Sequence, residues 1–267
     1  MKRQIMPVLC ICIATLLAAC RTEDIPIVET TLPPATVEVV AETVPETTLP
    51  PETEPQPTQP EHSEFYIPGV SVEDVIRYFE EVCLDAEFTY SGDASLIQKW
   101  MTPIYYTLNG TYTDEDISVL NGFVQWLNRV EGFPGMYQTE ERHLSNLQIY
   151  FCDHEEMVSR MGEEFTGMDA SVVFWYEMNE IYDATICYRT DLDQQLRNSV
   201  ILEEIYNGLG PIQDTSLRPD SIIYAEFSQP QALTAMDELI LRLLYHPQMV
   251  CGMNVGDCEA VIRQLYY

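Results

Sequence analysis

Positive charge is what this chain has least of. Lysine and arginine number 13 against 43 aspartates and glutamates, for a formal net charge of −30. A surface of that sign repels polyanions, and no basic stripe exists to follow a phosphate backbone, so nucleic-acid binding is excluded. Histidine is almost as scarce, with four in the whole chain. No G-x-S-x-G, no glycine-rich loop before a helix and no D-x-D-x-D-G loop occurs. The usual serine-hydrolase, phosphate-loop and EF-hand signals are therefore missing. There is also no apolar run long enough to span a bilayer.

The longest apolar stretch runs from Ile5 to Leu17, behind the basic pair Lys2 and Arg3, and ends at Leu17-Ala18-Ala19-Cys20. A basic start, a short apolar middle and small residues at a boundary are the three parts of an export signal. The boundary resembles the lipobox of bacterial lipoproteins, which implies acylation of the Cys20 thiol and cleavage before it. Residues 1–19 are thus expected to be a signal peptide. The mature chain is expected on the extracytoplasmic face of the cell membrane, held by lipid on Cys20. Losing Lys2 and Arg3 with the signal makes the remainder more acidic still.

Residues 20–62 are rich in Pro, Thr, Glu and Val, and Glu29-Thr-Thr-Leu-Pro-Pro34 recurs as Glu46-Thr-Thr-Leu-Pro-Pro51. Prolines remove donors and favour extended backbone, and the acids repel one another, so this stretch is expected to be a disordered, semi-stiff tether. At roughly 3 Å per residue its limit is about 130 Å. Its composition also suits O-glycosylation.

From Ser63 to Tyr267 the composition is that of one globular domain. Ser71 with Asp74 predicts a helix cap, followed by Val72, Val75, Ile76, Phe79 and Val82 at helical spacing. A strand is expected over Ile104–Leu108, then a helix capped by Thr113 and Asp116. Strands are expected at Leu147–Phe151, Ser171–Tyr176 and Ile181–Tyr188, with a short helix between the first two. A helix from about Asp191 to Leu209, a looping stretch through Tyr224, a helix capped by Thr234 and Asp237 and a last helix complete the order. Strands early and helices late predict an α+β fold with a mixed sheet backed by helices.

The segment Asn198-Ser-Val-Ile-Leu-Glu-Glu-Ile-Tyr-Asn-Gly-Leu-Gly210 carries the functional question. It resembles the helix of metzincin zinc peptidases, where H-E-x-x-H is followed by a Leu-Gly turn and two His at i and i+4 face one metal. Setting Leu209-Gly210 on that turn places Glu203 and Asn207 at the two His positions and Glu204 at the general base. Gln213 or Asp214 then supplies the third ligand. Downstream, Asp220-Ser-Ile-Ile-Tyr224 resembles the Ser-Ile-Met-Tyr stretch of the Met-turn, with Ile223 for Met. Leu233-Thr-Ala-Met-Asp237 and Leu243-Leu-Tyr245 resemble the closing helix of matrixin-type domains. The chain is similar to an uncharacterised bacterial family of lipoproteins with a metzincin-like domain, in which a Glu-Glu pair precedes Leu-Gly.

Zinc sites take imidazole or thiolate, and these positions offer carboxylate and amide. An oxygen set suits calcium or magnesium better, so a divalent cation is the one cofactor left open, with none as the primary expectation. Two functions follow. The first is a non-catalytic domain tethered at the cell surface to bind an envelope or other extracytoplasmic component. The second is a metal-dependent hydrolase of peptidase type with an unusual oxygen-ligand site. A two-lobed solute receptor would need more chain than one domain provides.

The remaining candidates are bland. His154-Glu155-Glu156-Met157-Val158 begins like a zinc motif, but Val158 stands where the second His is required. His143 and His246 are isolated. Among the cysteines after Cys20, the glycines of Cys251-Gly-Met-Asn-Val-Gly-Asp-Cys258 make that pair the best disulfide candidate. Cys152 with Cys187 is a second, weaker pair, and Cys83 is left as a buried thiol.

The anchoring expectation is tested at Cys20. Wild-type protein should partition into the detergent phase and take up labelled palmitate, and Cys20→Ala should release the protein or block its processing. Equal incorporation of the label into the Ala variant would remove the lipid anchor from the account.

Overall fold

A computed structural model describes residues 63–84, 96–225 and 229–267. Cys20, the signal segment and the tether lie outside them. Six helices and six strands follow in the order α1 (Val72–Cys83), β1 (Lys99–Trp100), β2 (Ile104–Gly110), α2 (Asp114–Leu127), β3 (Met136–Gln138), β4 (Leu147–Cys152), α3 (His154–Met161), β5 (Ala170–Glu177), β6 (Glu180–Arg189), α4 (Gln194–Gly208), α5 (Ala235–Tyr245) and α6 (Val255–Tyr266).

The helix starts obey local chemistry. Ser71, Thr113, Asp153, Asp193, Thr234 and Asn254 each turn a side-chain oxygen onto the N–H three residues on. Thr113–Asp116, Thr234–Asp237 and Asn254–Asp257 close reciprocal capping boxes. The β5–β6 hairpin turns on Met178 and Asn179, both at positive φ (51° and 66°), the twist that a two-residue hairpin loop requires.

The sheet is mixed and mainly parallel. Pairing runs β3-β2-β4-β6, all parallel. β1 pairs the first two residues of β6 and β4 the last six, so both lie on one edge of β6. β5 runs antiparallel along the other edge, with a bulge between Trp175 and Tyr176. The expected α+β class is corrected to this extent: a parallel pair needs a crossover rather than a hairpin, and α2 supplies one between β2 and β3.

Alternation sends the two faces of the sheet to different cores. Leu147, Ile149 and Phe151 of β4 and Ala184, Ile186 and Tyr188 of β6 join the main core, which reaches from Phe65 to Tyr266. The intervening Tyr150, Cys152, Val173 and Cys187 form a smaller cluster covered by Met157 of α3 and Phe165 of the 3₁₀ turn Glu163–Phe165. Lys99 of β1 is buried, and its Nζ donates to the carbonyls of Leu244 (2.7 Å) and Met249. Burial pushes that ammonium down to about 8. No helix among the described residues is long and apolar enough to cross a membrane.

Asp237, which is 0 % exposed, ties four segments together. Its carboxylate accepts from the hydroxyls of Ser221 (2.7 Å), Thr234 (2.8 Å) and Tyr78 (3.3 Å) and from the amides of Thr234 (2.8 Å) and Ile222 (3.4 Å). Its carbonyl accepts from the Tyr206 hydroxyl (3.0 Å). Removing the acceptor leaves several buried donors without a partner, each costing about 1–3 kcal/mol. Asp237→Ala should therefore lower stability by roughly 3 kcal/mol or more, with Asp237→Asn, which keeps one oxygen, between it and wild type. Urea midpoints measure this, and a loss below about 1 kcal/mol would show that the network is peripheral.

Candidate functional site

Helix α4 is buried on nearly every side. Eleven of its residues, Arg197–Leu202 and Glu204–Gly208, are buried, so any polar group along it must find a partner inside the protein. Its first half does. Arg197 Nε donates to Asp116 Oδ1 (2.8 Å), Gln194 Nε2 donates to the same oxygen (2.6 Å), and Asn198 Nδ2 donates to Glu115 (2.7 Å). Burial opposes the charge on Asp116. The hydrogen bonds from the Thr113 backbone, Arg197 and Gln194 outweigh it and hold the carboxyl below its ordinary value.

The C-terminal end of α4 is held from three sides. Trp100 Nε1 donates to the Gly208 carbonyl (2.9 Å), the Tyr245 hydroxyl to the Leu209 carbonyl (2.8 Å), and the Gly210 amide to the Asn207 carbonyl (3.2 Å). These satisfy carbonyls that a helix end otherwise leaves open. Gly210 sits at φ +127°, and a Cβ there would come within 2.5 Å of the Gln98 carbonyl oxygen. Only glycine fits this turn. A Cβ at Gly208 would lie 3.2 Å from Val172 Cγ2, which measures how closely the helix passes β5.

On this last turn lie the residues that the sequence singled out. Glu204 is 1 % exposed and Asn207 is 4 % exposed. Glu204 Oε2 and Asn207 Oδ1 have no hydrogen-bond partner. Burial pushes the Glu204 carboxyl well above the usual carboxylate range. The like charges of Glu203 and Asp214 push the same way, and a hydrogen bond from the Val172 backbone opposes them. Glu204 is thus a buried acid whose protonated form is favoured, turned against β5. Glu203 and Asp214 are half-buried and make interactions of their own. The loop after Asp214 is pinned to α1, where Glu81 accepts from the Ser216 amide (2.9 Å) and hydroxyl (3.0 Å) and from the Thr215 hydroxyl. The backbone N–H of Gln213 donates to the Val82 carbonyl (3.2 Å).

The structure therefore brings Glu203 and Asp214 within electrostatic reach of Glu204 and sets Asn207 one turn from Glu203. Among the described residues, no group of three or more His, Cys, Asp or Glu is placed to hold a metal ion. The histidines stand elsewhere. His143 lies exposed beside Glu141 (3.4 Å), His154 Nε2 accepts from the Gly167 amide (2.9 Å), and His246 packs edge-on against Phe65. Cys251 and Cys258 are free thiols, the first against the Lys99 carbonyl and the second buried in α6. Cys83 is a buried free thiol in α1. A cavity of about 310 Å³ lies apart from α4, between the first described residues, the end of α2 and α5. Phe65, Trp126, Arg129, Arg242 and His246 line part of it. Sequence reasoning missed Trp100, Val172 and Arg197, whose roles arise from pairings far apart in the chain.

Residues 72–264 match the model of a family described as "Protein of unknown function (DUF2927)". No curated protein matches the chain.

The state of Glu204 has a measurable consequence. A carboxyl whose pKa is raised on folding contributes stability that is fully present below its unfolded value. That contribution is lost as pH rises toward the folded value, by up to about 1.4 kcal/mol per pH unit for one proton. Glu204→Gln removes this term. Relative to wild type, the variant should gain stability steadily from about pH 5 upward, read from denaturant midpoints at several pH values. A difference that does not change with pH would mean that Glu204 is not held neutral.

Proposed function

The chain belongs to this DUF2927 family, and on that premise we propose that it is an extracytoplasmic lipoprotein whose metzincin-like domain binds an envelope component without hydrolysing it. Lipid on Cys20 would hold it to the membrane, and residues 21–62 would hold the domain off the surface.

The interlocking of the three segments behind the resemblance supports the metzincin-like reading. Tyr206 of the helix donates to Asp237 of α5, Asp237 receives Ser221 and Ile222 of the Asp220–Tyr224 stretch, and Tyr245 of α5 donates to Leu209 of the turn. Segments separated in sequence thus form one connected unit around the end of α4.

The observation that carries the non-catalytic reading is Glu204 itself. A general base must be ionised and must reach water or substrate, whereas this carboxyl is buried, favoured in its protonated form and turned toward β5. The donor set disagrees with zinc as well. Glu203, Asn207 and Gln213 or Asp214 supply carboxylate and amide oxygen, while zinc sites are built from imidazole and thiolate with at most one carboxylate.

One observation favours the rival reading, a metal-dependent hydrolase with oxygen ligands. Glu204 Oε2 and Asn207 Oδ1 both lack a hydrogen-bond partner, and Glu203 and Asp214 add negative charge nearby. A hard cation would be stabilised by such oxygens. It would reveal itself as a thermal midpoint that rises with added calcium or magnesium.

Elemental analysis with a peptidase assay separates the readings. Purified protein should contain no stoichiometric zinc, and hydrolysis should stay undetectable in both wild type and Glu204→Gln. Stoichiometric metal, together with peptide cleavage that falls about 10²- to 10⁴-fold in Glu204→Gln, would make the protein an active peptidase.

A further inference from the structure

β4 and β6 are parallel neighbours, with Tyr150 opposite Cys187 and Cys152 opposite Arg189. Cys152 and Cys187 are therefore diagonal neighbours on one face of the sheet, both in the smaller core cluster. Both are free thiols, 4 % and 0 % exposed, and their side chains are in hydrogen-bond contact. The other described thiols sit on α1, on α6 and in the loop before α6.

We propose that Cys152 and Cys187 are the two halves of one disulfide, closed by thiol–disulfide exchange with a small disulfide oxidant of the glutathione type, with Cys152 as the attacking thiol. Adjacent strands, a shared face and the contact between the two side chains bring the sulfurs near each other, and because diagonal neighbours stand about 7–8 Å apart, closing the bond draws the ends of β4 and β6 slightly together.

The two thiols are not equivalent. Cys152 ends β4 and directly precedes Asp153, the N-cap of α3, where the helix field favours a thiolate. The hydrogen bond from Cys187 lowers the Cys152 thiol below its ordinary value against burial and the charges of Glu156 and Asp153, and the Arg160 guanidinium adds to the lowering. Arg160 is held over the Tyr150 ring at 4.0 Å and paired with Glu156 at 2.6 Å. Cys187 is raised by the same hydrogen bond and by burial.

The exchange balances in two steps. The Cys152 thiolate attacks one sulfur of the oxidant, forming a mixed disulfide and releasing one small thiolate. Cys187 then gives up its proton and attacks the Cys152 sulfur, which breaks the mixed disulfide and releases the second small thiolate. Two protein thiols are oxidised, one small disulfide is reduced, and two protons leave. Met157 of α3 and Phe165 of the 3₁₀ turn cover the pair, so the reaction on folded protein waits on local opening of that cover. During folding no such wait applies.

The test uses the full chain, reduced, then either kept native or refolded from denaturant in a reduced and oxidised glutathione buffer. Free thiols are alkylated after unfolding, and peptides are mapped by mass spectrometry. The expected result is a Cys152–Cys187 linked peptide in most refolded molecules, formed more slowly in the native sample. Full alkylation of both thiols in both samples, or linkage of either to another cysteine, overturns the pairing. In Cys187→Ser, glutathione should accumulate on Cys152 to several-fold higher occupancy than on Cys187 in Cys152→Ser. The reverse order overturns Cys152 as the attacking thiol.

Discussion

The carboxylate of Asp237 is the interaction on which the rest of this structure leans. It begins as a local device, the third residue of a capping box that starts α5. Being fully buried, it also collects Tyr78 from α1, Ser221 and Ile222 from the turn before α5 and, through its carbonyl, Tyr206 from α4. A carboxylate out of water is tolerated only when donors replace its hydration. The donors that do so come from α1, from the Ser221–Ile222 turn and from the cap of α5, so the solvation of one side chain settles how these three meet, while the carbonyl of the same residue ties in α4.

Glu204 is the contrasting case. Asp116, Glu204 and Asp237 are the buried acids among the described residues. Two of them are satisfied, Asp116 by Arg197, Gln194 and Thr113, and Asp237 by its donors. Glu204 keeps one oxygen without a partner, as does Asn207 on the same turn. The like charges of Glu203 and Asp214 add to the burial penalty rather than relieving it. The protein thus solves the same problem twice and leaves it open a third time, on the helix where the resemblance places its site.

Legibility in the sequence followed the range of the interactions. The caps at Ser71, Thr113 and Thr234 rest on bonds to residues three positions away, and periodicity marked the longer strands. β1 and β3, with two and three residues, are too short to show a period. α4 resisted reading for the opposite reason. A helix buried all round has no polar face to reveal its orientation, so Glu204 on a solvated face and Glu204 in the core look alike in sequence. The parallel pairing was hidden as well, since alternation within a strand carries no information about its neighbour's direction. Asp237 was visible as a cap and invisible as a hub, because Tyr78 is 159 residues away along the chain.

The end of α4 shows what this arrangement favours. Trp100, Tyr245 and the turn at Gly210 hold its carbonyls and its exit direction, so the last turn has little freedom to swing Glu204 or Asn207 toward new partners. A buried acceptor without a donor costs about 1–3 kcal/mol, and a rigid frame prevents that cost from being relaxed away. The deficit therefore persists, and under the proposed binding role a donor or cation that reached this turn would recover it. That is the physical sense in which a helix lacking zinc chemistry can still form the centre of a binding site. If the proposed binding role is exercised at this turn, the ligand must fit the side chains where they stand, since they are not free to rearrange around it.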